Sequence, residues 1–415
     1  MSSEVTYTTR GLVVSEHETI VPLDHRDPGG DKITIFAREV ADPDGRERPY
    51  LVFFQGGPGF EAARPFRHPT SPGWLDRALR EYRVLMLDQR GTGRSTPFGP
   101  ASVEGKTPAA VADYLTYFRA DSIVRDAEAF RGALGVEEWS VLGQSFGGFC
   151  VTTYLSLAPE HLREAFITGG LPPVGPPVDD VYRATFARIL ERNARHYMRY
   201  PGDRDVVRAL LDRLATDPVV LPSGDELTGR RLRQLGQMLG MSDGSERLHY
   251  ILELDPDSPA FGHDVEAALE FARNPLYAII HEACYADGGA TRWSADRVMP
   301  DAFRADPTLL TGEHVFPWMF EDYGALEPLR EAADILAAHP WPRLYDNERL
   351  AANEVPAAAA IYADDPYVER RFSEETAELT PRLRPWVTNE YDHNGLRADS
   401  ERILSRLIDL ARGRA

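Results

Sequence analysis

Residues 139–150 read WSVLGQSFGGFC, a short apolar run, a glycine-rich turn holding a single serine, and a return to apolar residues. Three glycines within residues 143–148 predict a sharp backbone turn with something packed closely against it, because glycine tolerates positive φ and carries no Cβ. The preceding Trp139-Ser140-Val141-Leu142 suits a buried strand, and Phe149 to Leu157 suits a helix ended by Pro159. Strand, turn and helix around Gly143-x-Ser145-x-Gly147 form the pattern that lifts a serine hydroxyl above the carboxyl edge of a parallel sheet. The competing reading is a serine that merely caps the helix, and the rest of the chain has to decide.

Working outward, the segments on either side alternate between strand and helix patterns. GLVVSEHETIVPL (11–23) and KITIFAREV (32–40) mix alternation with β-branched residues, while YLVFFQ (50–55) and YRVLMLDQ (82–89) are the short apolar runs of a sheet buried on both faces. REAFITGG (163–170) and AAAAIYADD (357–365) look alike. ADSIVRDAEAFRGALG (120–135) reads as a helix with Ile123, Ala127, Phe130 and Leu134 on one face and Gly135 as its stop. The core is therefore expected to be α/β, with a mostly parallel central sheet flanked by helices.

After Gly170 the pattern changes. LPPVGPPVDD (171–180) reads as a proline-rich hinge leading into amphipathic helices, one with Val178, Val181, Tyr182, Thr185, Phe186, Ile189 and Leu190 on a stripe. Helices predominate to about residue 320, and the α/β pattern then resumes. This order predicts a helical cap (171–321) inserted between two parts of one core (1–170 and 322–415).

The 415 residues include 43% hydrophobic side chains, enough for a sizeable core. The start of the chain lacks a basic stretch followed by a long apolar one, and no run of 18 apolar residues occurs, so a cytoplasmic location is expected. The net charge of −19 repels nucleic acid and anionic membranes and suits small cationic substrates. Cys150 and Cys284, far apart in apolar surroundings, read as buried free thiols. No metal is expected: HEACY (281–285) lacks the second histidine of H-E-x-x-H.

A serine nucleophile needs a base and a group to orient that base. His393 fits best, following the apparent strand RPWVTN (384–389), with Gly395 permitting a sharp turn. Asp364 and Asp365 both follow a buried strand, and either could orient the histidine. The oxyanion of acyl transfer needs backbone N–H donors, for which Phe146, directly after the serine, and Gly56 and Gly57 in QGGPG (55–59) are the candidates. QGGPG has neither the lysine of a P-loop nor G-x-G-x-x-G spacing.

Together QGGPG, DQRGTGRS (88–95), GQSFGG (143–148), YADDPYV (362–368) and NEYDHNGLR (389–397) resemble the prolyl aminopeptidases, also called proline iminopeptidases. The last two, with HEACYADGGATRW (281–293) and TGEHVFPWMFED (311–322), resemble the longer-chain bacterial members, so the likeness spans nearly the whole chain. It implies an α/β-hydrolase core with a helical cap, and release of N-terminal proline from small peptides or amino-acid amides and esters, without cofactor. Ser145 would be the nucleophile, His393 the general base, and Asp365 the orienting acid, with Asp364 kept as an alternative because Pro366 stands where methionine is frequent. Gln55 stands where the family usually has histidine.

The family's cap glutamates pair with the substrate ammonium; Glu282 matches best and Glu313 next. Phe146, Trp293, Phe316 and Trp318 are candidates for an apolar slot around the proline ring, and DQRGTGRS for the floor of the site, with Asp88 pairing its two arginines. An esterase or amidase of the same fold would use the triad without Glu282, and a catalytically silent ligand-binding module is the more distant rival. Homo-oligomer formation is left open.

Overall fold

A computed structural model describes residues 2–415. The strands, in chain order, are β1 (Ser2–Thr9), β2 (Leu12–Pro22), β3 (Lys32–Ala41), β4 (Tyr50–Phe54), β5 (Arg83–Asp88), β6 (Trp139–Gln144), β7 (Leu162–Thr168), β8 (Val219–Val220), β9 (Glu226–Leu227), β10 (Ala357–Tyr362) and β11 (Leu383–Thr388). Among the described residues, nine of them form one sheet in the order β1-β2-β3-β5-β4-β6-β7-β10-β11, and β8 and β9 pair separately. The β1 to β3 end, joined to β5, is antiparallel; everything from β5 to β11 is parallel. The strand expectations match, except that β1 and the two-residue β8 and β9 were not foreseen: the polar and threonine-rich TYTT of β1 carries no buried face to betray it.

The central strands are buried on both faces, and their alternation sorts side chains between two apolar clusters. Leu51, Phe53, Leu142, Ala358 and Ala360 belong to one, with Leu75, Leu79 and the helix Ser400–Ala411. Val52, Phe54, Val141, Ala357 and Ala359 belong to the other, with Ile123, Ala127 and Phe130 of helix Ala120–Leu134 and Phe149 and Tyr154 of helix Phe146–Leu157. Ile403, Leu404, Leu407 and Ile408 are each fully buried, worth roughly 1.5–3 kcal/mol apiece, so the last helix is fastened under the strand that carries the acid loop. Helix Ala120–Leu134 ends as expected, with Gly135 at φ 68° and its N–H bonded to the carbonyls of Arg131 and Gly132.

Between the end of β7 and the start of β10 the chain makes a largely helical excursion over the carboxyl edge of the sheet. Its longest helix, Val178–Arg199, buries Val178, Val181, Tyr182, Thr185, Phe186 and Ile189 on the anticipated stripe. Further along, helix Arg330–Ala338 packs back on the core helix Pro108–Leu115. No helix among the described residues is long and apolar enough to cross a membrane.

Candidate active site

The turn between β6 and helix Phe146–Leu157 is as tight as its glycines suggest. A Cβ on Gly143 would lie 2.2 Å from the Gly147 carbonyl oxygen, one on Gly147 1.9 Å from that of Phe54, and one on Gly170 2.1 Å from that of Ser145. Three backbone segments meet here with no room for side chains. Ser145 itself takes φ 55° and ψ −127°, a conformation that costs a non-glycine residue on the order of 1–3 kcal/mol. Its N–H donates to the Thr168 carbonyl at 3.0 Å, and its own carbonyl accepts from Gly148 N–H at 2.7 Å. The hydroxyl makes no capping bond to the helix, so the strained turn serves to present Oγ rather than to start the helix.

Oγ of Ser145 lies 2.9 Å from His393 Nε2, and His393 Nδ1 lies 2.6 Å from Asp365 Oδ2. With the imidazole neutral, Nδ1–H donates to the carboxylate and Nε2 accepts from the serine. Asp365 follows β10, is 1% exposed, and is held by the backbone N–H groups of Tyr367 (2.8 Å) and Val368 (3.2 Å) on its other oxygen. Asp364 points elsewhere, accepting from Arg195 Nη1 at 2.6 Å. Burial pushes His393 toward the neutral form, but the adjacent Asp365 carboxylate, its hydrogen bond and the charge of Glu313 outweigh it and hold the imidazole pKa above its ordinary value. The Tyr367 ring packs edge-on against the imidazole at 4.8 Å, and His393 N–H donates to the Gly240 carbonyl at 3.1 Å.

Helix Val178–Arg199 presents an arginine face to these loops that was not anticipated from sequence. Arg192 donates to the Asp364 carbonyl from Nε (3.1 Å) and Nη2 (2.7 Å), and also to the carboxylate of Asp392. One guanidinium thus ties the residue before Asp365 to the residue before His393. Arg188 reaches Glu369 at 3.0 Å. The signal was present as the spacing 188, 192, 195 along one edge of the apolar stripe, but such a face ordinarily meets solvent.

The loop after β4 runs beside the serine: a Cβ on Gly56 would lie 3.0 Å from Ser145 Cβ. Its position is set by Gln89 Nε2, which donates to the Gln55 carbonyl at 2.9 Å, and by Asn274 Nδ2, which donates to the Gly59 carbonyl at 2.9 Å. Gly57 sits at φ 138°. Phe146 occupies the first helical position, where a backbone N–H has no intrahelical partner and the helix dipole favours an anion. Gly56, Gly57 and Phe146 are therefore grouped around Ser145.

In DQRGTGRS the expected pairing of Asp88 with the two arginines is not formed. Asp88 accepts from the backbone N–H groups of Ala62 and Arg94, whereas Arg90 pairs with Asp126 (2.7 and 2.6 Å) and Arg94 with Glu16 and Glu18. A buried guanidinium takes the bidentate carboxylate of the neighbouring helix, while Asp88 folds the loop through backbone donors.

A cavity of about 490 Å³ opens over the serine, lined by Gln55, Gly56, Gly57, Ser145 and His393 from the core. From the helical excursion it receives Phe271, Tyr277 and Glu313, and Phe60 completes an aromatic wall. Phe60 and Tyr277 meet edge to face at 5.5 Å, and Phe271 stacks on Tyr277 at 5.9 Å. Glu313 accepts from the Tyr277 hydroxyl at 2.6 Å, and burial pushes its carboxyl up from 4.5 to about 7.

Glu282 and Trp293 are not brought to this cavity. They line a separate small recess with Thr291 and Trp341, where Glu282 Oε1 accepts from Ala295 N–H at 2.9 Å. The physical reason is local: residues 282–285 form a single 3-10 turn that aims Glu282 back at the start of helix Ser294–Arg297. Phe146, Trp293, Phe316 and Trp318 do not assemble a slot beside Ser145 either. Phe316 stacks on Trp318 at 5.6 Å and Trp293 packs on Phe320 at 5.7 Å, away from the serine. Phe60, Phe271 and Tyr277 line the cavity beside Ser145 instead; as single aromatics, two of them next to a charged residue, they gave no sequence signal for it. Among the described residues no group of three or more histidine, cysteine or acidic side chains is arranged to hold a metal ion.

A family model described as alpha/beta hydrolase fold matches residues 49–204, which contain β4 to β7 and the serine turn. The chain is 46% identical to a proline iminopeptidase from Aeromonas sobria, over 99% of this chain and 100% of that protein. It is 34% identical to a proline iminopeptidase from Aspergillus aculeatus, over 96% and 94%, and 27% identical to one from Xanthomonas citri, over 75% and 84%. With such identity to a relative matched from end to end, and with a parallel sheet bearing a serine at its carboxyl edge, this chain belongs to the proline iminopeptidase family of α/β hydrolases.

Proposed function

We propose that the protein is a serine aminopeptidase that releases N-terminal proline from small peptides, amides or esters. Residues 1–170 and 322–415 serve as its catalytic core, and 171–321 as its cap. The observation that carries this reading beyond a general serine hydrolase is the carboxyl of Glu313 in the same cavity as the Ser145 hydroxyl. An exopeptidase must recognise a free amine, and a half-buried carboxylate opposite the nucleophile does so by a charge-assisted hydrogen bond. Glu313 therefore replaces Glu282 as the amine anchor, because only Glu313 shares the cavity with Ser145.

In this reading the substrate ammonium pairs with the Glu313 carboxylate, and the pyrrolidine ring rests against Phe60, Phe271 and Tyr277. His393 Nε2 takes the Ser145 proton as Oγ attacks the prolyl carbonyl, and Asp365 stabilises the imidazolium that forms. The oxyanion is met by N–H groups of Phe146 and the Gly56–Gly57 segment, each typically worth 10²–10³ in rate. His393 then passes its proton to the leaving amine and the C–N bond breaks, leaving a prolyl ester on Ser145. A water attacks that ester, giving its proton to His393, which returns it to Ser145 as proline departs. The chemistry needs no cofactor. A net charge of −19 disfavours nucleic acid and anionic membranes as partners, in keeping with a cytoplasmic enzyme of small substrates.

The test compares proline anilide, N-acetylproline anilide and a simple acyl ester. Turnover of the free-amine anilide, with the N-acetyl form slower by at least about a hundredfold, is expected. Equal rates for the two, or turnover of the ester alone, would return the protein to a general esterase.

A further inference from the structure

Arg397 stands four residues after His393, on the short helix Gly395–Ala398, and lines the same cavity as Ser145, His393 and Glu313. Its guanidinium makes one polar contact, Nη2 to Met241 Sδ at 3.4 Å, and among the described residues no carboxylate pairs with it. The neighbouring arginines are all paired: Arg273 with Glu61, Arg192 with Asp392, Arg195 with Asp364. Two arginines line the cavity: Arg273 is held by Glu61, whereas Arg397, exposed at the mouth, has no carboxylate partner among the described residues. A thioether is a weak acceptor, so the planar fork of donors stays available to a ligand.

The placement also costs something. The Arg397 charge opposes protonation of His393, the step that must precede departure of the leaving amine. An anion brought by the substrate would remove that penalty at the moment it matters. Glu270 also lines the cavity, exposed at its rim, but forms no ion pair with Arg397. The cavity thus carries charges of both signs, the Glu313 carboxyl and the Arg397 guanidinium, both within electrostatic reach of His393. Its volume of about 490 Å³ lies in the range that encloses a whole small ligand.

We propose that Arg397 binds the free α-carboxylate of the residue after proline, so that proline dipeptides with an unblocked C-terminus are the preferred substrates. The inference rests on the aminopeptidase reading above and adds the identity of the leaving group. The leaving amine and this carboxylate share one carbon, so a guanidinium beside His393 meets the carboxylate when Nε2 meets the amine. A bidentate arginine–carboxylate contact in a partly enclosed site should favour the free acid roughly tenfold.

The experiment measures kcat/KM for Pro-Ala, Pro-Ala amide and proline anilide with wild type, Arg397→Gln and Arg397→Lys. The quantity read is the ratio of free acid to amide within each protein, so a general loss of activity cancels. The ratio is expected near ten in wild type, near one in Arg397→Gln, and intermediate in Arg397→Lys, which keeps the charge but not the fork. A wild-type ratio at or below one, or a ratio unchanged in Arg397→Gln, overturns the inference even if proline anilide is cleaved well. Absence of proline release from all three substrates overturns the aminopeptidase reading, and this inference with it.

Discussion

Replacing Glu313 with glutamine should make the enzyme worse and the fold more stable. The carboxyl is lifted from 4.5 to about 7, with burial the principal cause. Below about pH 4.5 it is neutral in folded and unfolded chains alike and has no effect on stability. As pH rises toward 7 the unfolded chain ionises freely while the folded one resists, and the folded state loses up to roughly 3 kcal/mol, a loss complete above pH 7. Glutamine is a near isostere that still accepts from the Tyr277 hydroxyl, so the variant escapes this penalty. The assay is thermal unfolding of wild type and Glu313→Gln at about pH 4.5 and about pH 8, with kcat/KM for proline anilide in parallel. The variant should melt with wild type at the lower pH and above it at the higher. Its kcat/KM should fall by roughly 10²-fold or more, the value of a charge-assisted bond to the substrate ammonium. Since Glu313 also raises the His393 pKa, the acid limb of ester hydrolysis should move to lower pH in the variant. A variant less stable than wild type at the higher pH, or one that retains full anilide activity, would refute the reasoning.

The other predictions concern the frame around the serine. Asp365→Asn should lower kcat on proline anilide by roughly 10³–10⁴, by analogy with other triads, whereas Asp364→Asn, which loses the contact with Arg195, should stay within about tenfold of wild type; comparable losses would mean the acid is misassigned. Gly147→Ala places a methyl 1.9 Å from the Phe54 carbonyl oxygen and should displace the oxyanion loop, lowering thermal stability and ester turnover together; unchanged kinetics would contradict the packing. Arg192→Met, which unties the Asp364 and Asp392 loops, should lower kcat while leaving KM for the anilide nearly unchanged, with partial recovery in Arg192→Lys; a loss confined to KM would argue against a positioning role.

What could be read from the sequence follows from where the information is local. The serine turn was legible because strain and close packing demand glycines at fixed spacing, and Gly143, Gly147 and Gly170 each face a backbone carbonyl oxygen. The central strands were legible because a sheet buried on both faces leaves uninterrupted apolar runs such as YLVFF. Distances across the chain were not. Choosing between Asp364 and Asp365 requires knowing that Arg195, from a helix 169 residues earlier, takes the first. The cavity wall was harder still: Phe60, the pair Phe271 and Tyr277, and Glu313 come from three separate stretches of chain, and no periodicity links them. Glu282 drew attention through its aromatic neighbours, yet one 3-10 turn aims it away from the serine. Paired arginines were also opaque, because the partners of Arg90 and Arg94 lie on a helix and a strand remote in sequence.

The central claim is that Ser145 forms an ester with a proline whose free amine is held by the cavity. The most direct measurement treats the protein with a proline-derived phosphonate, bearing either a free or an N-acetylated amine, and maps the adduct by mass spectrometry of peptides. The account predicts one adduct, on Ser145, formed at least tenfold faster with the free amine. An adduct on another residue, or equal rates for the two reagents, would contradict it.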